Sequence, residues 1–278
     1  MLDRCSLCVL ALGTALALTS TGAGAFDDAL YPDLKGGWQR RGPAQWDQTK
    51  PSGLPQQAPL TPEYQAVFDA NLAETEQGGQ SYNPQTWCVP GGMPRLLIAY
   101  GALEFLVRPE VTIVRSDHLA ELRHIFTDGR DWPAKIRPTF EGYSIGRWLD
   151  EDGDGKYEVL DVETRGFKGP RVLDASGIPL HKDNATIVKE RIFLDKANQN
   201  ILRDEITTID NAFTRPWTVT RSLDRLRNPP WIEQSCADAN RYVILRGETY
   251  VQTLDYVLMP TRKDQPPPDL RYFNQPPK

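Results

Sequence analysis

From Pro94 onward, apolar and polar residues alternate with a period of two, and short turns interrupt the pattern. This alternation is typical of β-strands that bury one face. Two weaker segments, Trp231–Cys236 and Tyr242–Tyr250, are also predicted as strands. Eight segments carry the pattern clearly: Leu103–Val107, Val111–Arg115, Leu119–Phe126, Tyr143–Leu149, Tyr157–Arg165, Thr186–Asp195, Ile201–Ile209 and Trp217–Leu223.

Most connections between these segments are too short for a crossover, so neighbouring strands are expected to pair antiparallel. Two longer loops, at residues 131–141 and 166–184, are the exceptions. A meander of eight to ten strands must protect its edges, and closure into a barrel does so while leaving room for one small ligand. We therefore predict a mainly β protein with a lipocalin-like barrel over residues 94–258; a two-sheet sandwich is the alternative.

The segments on either side of the predicted barrel lack this alternation. Residues 26–93 are predicted to form an N-terminal arm with one helix at 61–77, where Thr61 caps the first turn and Pro62 suits its first position. The arm either closes the barrel or lies outside it. The Pro-rich residues 259–278 are predicted to be a disordered tail.

Residues 1–25 have the features of a secretory signal peptide: a short basic start, an apolar run and small residues before the cleavage point. An N-terminal membrane anchor is the alternative, but the apolar run is too short to span a bilayer, and no later segment is apolar enough to do so. The mature protein is therefore expected to be periplasmic or secreted. In that oxidising environment Cys88 and Cys236 are expected to form a disulfide bond, with buried free thiols as the alternative.

The formal net charge of −5 at pH 7 argues against nucleic acid as the main partner, because binding phosphates requires a basic surface. The oligomeric state is not fixed by the sequence. Neither a nucleotide-binding loop nor a serine nucleophile motif is present, and no cofactor is required by the motifs.

Several runs resemble known proteins. The segment Asp33–Trp38 resembles the Gly-x-Trp opening of lipocalin-like barrels, in which the tryptophan closes one end. Longer runs resemble a family of secreted bacterial proteins that has a β-rich fold and no established activity. The resemblance covers Cys88 through Val219 and implies a secreted, barrel-like domain. It rests on Arg123–Arg130, Gly142–Trp148, Asp161–Phe167, Gly177–His181, Lys189–Arg191 and Thr214–Val219.

One predicted strand carries a carboxylate on its apolar face. Within Thr186–Asp195, Glu190 alternates with apolar residues and is expected to point into the barrel. If residues 196–199 form a four-residue turn, Glu205 lies opposite Glu190, and a cation or a shared proton must stabilise the pair. The candidate cations are Arg221, Arg123 and Arg191. This cluster either binds a polar group or is a structural ion-pair network.

Other residues are candidates for a ligand site. Tyr143, Trp148 and Trp217 line a cavity or form the core, and Arg130 binds a ligand or stabilises its own turn. His181 precedes the strand that carries Glu190, where it acts as a general acid or base or only caps a surface loop.

The segment from Asp150 to Asp161 matches a calcium-binding loop. It has carboxylates at positions one, three and five, a glycine at six and an acid at twelve. An acidic hairpin turn is the alternative reading. The predicted structural calcium ligands are Asp150, Asp152, Asp154, Lys156 and Asp161.

Three hypotheses for function follow. The first is a barrel that binds a small, mainly apolar ligand, aromatic compounds included, through an interior Glu/Arg cluster. The second is a lyase, isomerase or hydrolase of an aromatic or lipid-like compound that uses Glu190, Glu205 or His181 for acid–base chemistry. The third is an envelope protein that binds a protein partner through its Pro-rich segments.

Overall fold

A computed structural model describes most of the chain after residue 25. The described residues are 26–43, 45–50, 58–77, 83–98, 100–118, 121–231, 235–236 and 240–271. The predicted signal peptide at residues 1–25 lies outside them, as do residues 232–234 of the strand predicted at Trp231–Cys236.

Nine strands form a closed barrel, in which each strand pairs with the next and β9 pairs with β1. The predicted mainly β fold with a lipocalin-like barrel and one helix is therefore confirmed, and the sandwich alternative is wrong. The strands are β1 (Gly37–Arg40), β2 (Leu103–Val107), β3 (Val111–Ser116), β4 (Leu122–Phe126), β5 (Tyr143–Leu149), β6 (Val159–Arg165), β7 (Ile187–Leu194), β8 (Ile201–Ile209) and β9 (Trp217–Leu226).

One pair of neighbouring strands departs from the antiparallel meander. β4 and β5 are parallel, with Ile125 opposite Ser144. The long connection between them lets the chain return to the end at which β4 began, which a short turn does not allow. Gly146 sits at this junction, where a Cβ atom would lie 2.6 Å from a methyl carbon of Ile125. Glycine therefore permits the close approach of β5 to β4.

The N-terminal arm supplies a barrel strand, so the boundary predicted at residue 94 is wrong. β1 lies between β9 and β2 and completes the barrel. Its Trp38 is fully buried and donates from Nε1 to the Leu34 carbonyl at 2.9 Å, while the Arg225 guanidinium lies 4.4 Å from the ring centre. The arm therefore completes the barrel wall, a question that the sequence left open.

The other end of the barrel is covered by residues outside the strands. The only α-helix among the described residues, α1 (Pro62–Glu76), begins at the predicted cap, where the Thr61 hydroxyl accepts a bond from the Tyr64 amide. Phe68 of this helix joins the core. Further core residues from the connecting segments are Trp46, Met93, Leu96, Leu97, Leu173 and Ile178.

A separate three-stranded sheet follows the barrel. It comprises β10 (Tyr242–Leu245), β11 (Glu248–Gln252) and β12 (Leu258–Pro260), so the barrel does not extend to residue 258 as predicted. The single strand predicted at Tyr242–Tyr250 is two strands, because residues 246 and 247 form a turn with positive φ angles. The tail is ordered up to at least Gln265, which is buried and donates to the Thr249 carbonyl.

Cys88 and Cys236 form a disulfide bond, as predicted, across 148 positions of sequence. The bond links the connection between β1 and β2 to the segment that leads to the small sheet. None of the helices in the described part of the chain has the length and apolar character needed to cross a membrane.

Candidate functional site

The barrel interior contains a buried ion pair. Arg123 of β4 and Glu190 of β7 are each about 1 % exposed, and they form two parallel hydrogen bonds, Nη1 to Oε1 at 2.9 Å and Nη2 to Oε2 at 2.5 Å. The Arg123 Nε donates to the Ser144 hydroxyl at 3.1 Å, and Nη2 donates to the Thr164 hydroxyl at 2.8 Å. Glu190 points inward, as its position on an apolar face predicted.

A second pair of charged residues lies inside the barrel, but its members are not bonded to each other. Asp204 of β8 and Arg221 of β9 are directly opposite in the strand register, and both are 1 % exposed. Neither carboxylate oxygen of Asp204 has a hydrogen-bond partner among the described residues, and the same is true of Nε and Nη2 of Arg221. Each residue of this pair therefore has two buried polar atoms whose bonding capacity is unused.

The remaining Arg221 nitrogen is fixed by the chain that covers the barrel. Nη1 donates to the Gln45 carbonyl at 2.6 Å and to the Trp46 carbonyl at 2.7 Å. These two bonds hold the guanidinium beneath Trp46, which is itself fully buried. The Nε–Nη2 edge is therefore presented from a defined position.

Burial and neighbouring charges change the titration of this second pair. Burial raises the pKa of Asp204 well above its ordinary value of 3.8; Glu190 raises it further, whereas Arg123 and Arg221 lower it in part. Burial lowers the pKa of Arg221 to about 10. At neutral pH Arg221 is thus still a cation, whereas burial shifts the protonation equilibrium of Asp204 toward its neutral form.

The prediction that Glu205 faces Glu190 inside the barrel is wrong. Glu190 lies opposite Ile206, and Glu205 lies opposite Arg191 on the outer face. The Glu205 side chain is 44 % exposed, and one of its oxygens lies 4.0 Å from the Arg191 Nε. Because successive side chains of a strand point to opposite faces, a shift of one residue exchanges Glu205 for Asp204.

The predicted ligand-binding residues divide between the two faces of the barrel wall. Arg123, Trp148, Trp217 and Arg221 are buried. Three others do not face the interior: Arg130, Tyr143 and Arg191.

Those three residues take part in contacts on the outer surface. Arg130 pairs with Asp128, lies 3.8 Å from the centre of the Phe126 ring and donates to the Tyr143 hydroxyl at 3.3 Å. Arg191 pairs with Glu151 at 2.6 Å and lines an open cleft of about 520 Å³ together with Tyr31, Tyr157 and Glu205. A common interior site for all seven predicted residues is therefore wrong.

His181 lies outside the barrel interior. Its Nδ1 is 2.9 Å from a carboxylate oxygen of Asp183, and its ring lies 5.1 Å from that of Tyr64 on α1. It lines a cleft of about 410 Å³ beside the helix. His181, Glu190 and Glu205 thus do not form one acid–base site.

The acidic loop brings together four carboxylates, but not the predicted set. Side-chain oxygens of Asp150, Asp152, Asp154 and Glu158 lie within 4.8 Å of one another. Asp161, predicted as the last ligand, is instead on the outer face of β6 opposite Arg147 and Arg191. The loop geometry comes from local bonds, such as the one from the Lys156 amide to Asp154 at 2.8 Å. Calcium binding here stays a prediction from the sequence.

That prediction has a direct check in thermal melting. If the loop binds calcium, about 1–5 mM CaCl₂ should raise the melting temperature, because the ion binds only the folded loop. Glu158→Gln should abolish the rise, and Asp161→Asn should keep it. A melting temperature unchanged by calcium in the wild type, relative to NaCl of equal ionic strength, contradicts the prediction.

The sequence did not single out three members of the interior cluster: Ser144, Thr164 and Asp204. Ser144 and Thr164 alternate with apolar residues on β5 and β6. Small hydroxyl residues are common in ordinary strands, so this pattern does not mark them as members of a site. A four-residue turn before β8 would put Glu205 on the inner face, so the sequence did not indicate Asp204 as an interior residue. Only the strand register identifies it as interior.

The fold and its interior together define a lipocalin-like barrel with a buried charged cluster. No protein-family model matches the chain, and no curated protein is significantly similar to it. The function of this protein is therefore inferred from the geometry of the barrel interior.

Proposed function

We propose that the protein is a secreted or periplasmic barrel that binds one small, mainly apolar molecule and holds its polar end at the interior charged cluster. The observation that supports this is the unused bonding capacity of Asp204 and Arg221 in an interior closed to solvent. Buried polar groups are nearly always hydrogen-bonded, so a bound polar group would supply the missing partners. Ordered water is the competing occupant.

The surroundings of this cluster are suited to an apolar ligand. Small-molecule sites are typically lined by apolar side chains, with a few polar groups that fix orientation. The interior faces of β6 to β9 follow that composition, with buried Leu160, Val162, Ile192, Leu202, Ile206, Val219 and Leu223.

The disulfide bond and the N-terminal sequence both support the proposed secreted or periplasmic location. Disulfide bonds persist in oxidising compartments and are rare in the cytosol. The Cys88–Cys236 bond therefore fits export of the chain.

Native mass spectrometry tests the proposal on protein exported under its own N-terminal segment. We expect a fraction of the protein to carry one additional small-molecule mass, which is released on denaturation and can then be identified. Glu190→Gln should lower that fraction, because it disturbs the Arg123–Glu190 pair that shapes the polar end of the site.

Glu205→Gln is the matched control, since it removes a carboxylate from the outer face of the same barrel. It should carry the compound as the wild type does. Circular dichroism should show that both variants are folded. Absence of any additional mass from the exported wild-type protein, or equal loading of Glu190→Gln and wild type, contradicts the proposal.

The catalytic alternative has less support. Glu190 and Glu205 lie on opposite faces of the barrel wall, and His181 lies beside α1. These groups therefore do not act on one substrate atom. The third alternative, an envelope protein-interaction module, stays a prediction, and residues 272–278 of its Pro-rich tail lie outside the described residues.

A further inference from the structure

We infer that the polar group recognised inside the barrel is a carboxylate, and that the Nε–Nη2 edge of Arg221 binds it. This inference rests on the proposed function and specifies its ligand as a monocarboxylic acid with an apolar body. It depends on which donors of the two interior arginines are already used.

Arg123 has no comparable free edge. Its two terminal nitrogens bind both oxygens of Glu190, and its Nε and Nη2 also donate to Ser144 and Thr164. The ion pair is thus complete. Arg123 serves to keep the Glu190 carboxylate bonded inside the barrel, and it is not the group that receives a ligand.

Arg221 differs because only its Nη1 is bonded, to the carbonyls of Gln45 and Trp46. Its Nε and Nη2 have no partner within the described structure. These two nitrogens lie on one edge of a planar group and donate in parallel, a geometry that matches the two oxygens of a carboxylate. The bonds to the backbone hold that plane in place before a ligand arrives.

Asp204 completes the polar end of the site. It lies opposite Arg221 on the neighbouring strand, and both its oxygens lack partners among the residues described. Burial raises its pKa, and the protonated carboxyl can donate a hydrogen bond to a ligand oxygen. A cationic ligand group would instead be repelled by the positive charges of Arg221 and Arg123. An amide would make some of the hydrogen bonds but would lack the charge that complements Arg221.

The probes are sodium butyrate, hexanoate, octanoate and benzoate, each compared with the primary amide of the same carbon skeleton. The measurement is the urea midpoint of the disulfide-bonded mature protein, at an ionic strength matched with NaCl. A ligand that binds the folded state raises the midpoint whatever its route of entry, because unfolding and refolding open the barrel. We expect at least one carboxylate to bind at least about tenfold more tightly than its amide.

Two variants assign the preference to Arg221. Arg221→Lys keeps the positive charge but loses the paired donors, and it should reduce the carboxylate preference to about threefold or less. Arg147→Lys makes the same change at an exposed position of β5 and should leave the preference unchanged. Asp204→Asn keeps a hydrogen-bond donor at this position and should also retain the carboxylate preference.

The outcomes separate this inference from the proposed function. Equal binding of an amide and its carboxylate overturns the carboxylate assignment and leaves an interior ligand site in place. An unchanged preference in Arg221→Lys overturns the role of Arg221. If no carboxylate raises the midpoint, the inference is wrong, and the native mass of the exported protein decides the proposed function independently. Should Arg221→Lys not fold, the comparison of acid with amide on the wild type still tests the assignment.

Discussion

Replacing Arg123 with methionine is expected to lower the free energy of unfolding by about 3–5 kcal/mol, because it leaves a buried carboxylate without its counter-ion. Glu190 is almost completely inaccessible to solvent, and both its oxygens are bonded to Arg123. Methionine fills part of the volume of the lost side chain but supplies no donor. The loss should be visible as a lower urea midpoint with little change in slope.

The double variant Arg123→Met/Glu190→Met should recover most of that stability. A buried ion pair is often replaced by apolar residues at little cost, since neither charge then has to be desolvated. The Ser144 and Thr164 hydroxyls, 2.9 Å apart, can still bond to each other in this variant. Arg147→Met on the outer face of β5 is the control and should change stability by no more than about 0.5 kcal/mol. If Arg123→Met is as stable as Arg147→Met, the Arg123–Glu190 pair does not compensate a buried charge in the folded protein.

The strand pattern was predictable because a half-buried strand imposes a period of two on its sequence. β5 and β8 have the predicted limits, Tyr143–Leu149 and Ile201–Ile209. β1 was missed because four residues are too few to display a period. Its place in the barrel depends on pairing with β9, which is far away in sequence.

The interior site was only partly predictable, and the reason is a single turn. Glu190 could be identified as the charged residue on an otherwise apolar face. Its partner could not, because the sequence does not reveal how many residues the turn before β8 contains. The Asp195 amide bonds to the Ile201 carbonyl, so the turn between these two paired residues contains five residues instead of four. The Asp195 side chain, which accepts bonds from the amides of Ala197 and Asn198, stabilises this longer turn.

Side chains from distant parts of the sequence converge inside the barrel. Arg123, Ser144, Thr164 and Glu190 come from four separate runs of sequence, and they form one hydrogen-bonded group. In sequence they are up to 67 positions apart. Each side chain taken alone resembles an ordinary strand residue, and only the closed barrel brings them together.

The second large effect concerns pH and arises at Glu121, just before β4. Glu121 is 4 % exposed; its Oε1 accepts from the Gly92 amide at 3.0 Å, whereas its Oε2 has no partner in the described structure. Burial raises the pKa of this carboxyl from 4.5 to about 7, although the backbone amide of Gly92 and the Arg95 cation oppose the rise. The folded protein therefore binds this proton more tightly than the unfolded chain does.

The sign of the pH dependence follows from that difference. When the folded pKa of an acid is the higher one, its contribution to stability is largest below the unfolded pKa and is lost as the pH rises to the folded pKa. Between pH 4.5 and 7, Glu121 should therefore lower the free energy of unfolding by about 3 kcal/mol, at about 1.4 kcal/mol per pKa unit. Asp204 should also lower the free energy of unfolding as the pH rises, because its pKa is raised in the folded protein as well.

Glu121→Gln isolates this contribution, since it keeps the shape of the side chain but cannot ionise. Urea unfolding of both proteins from pH 4 to pH 8 should give a difference in stability that increases with pH in favour of the variant and levels off above about pH 7. Glu76→Gln, at an exposed position near the end of α1, should instead follow the wild type across the range. A difference between Glu121→Gln and wild type that is constant with pH would mean that the pKa of Glu121 is the same in the folded and the unfolded protein, so that partners stronger than one backbone amide compensate for its burial.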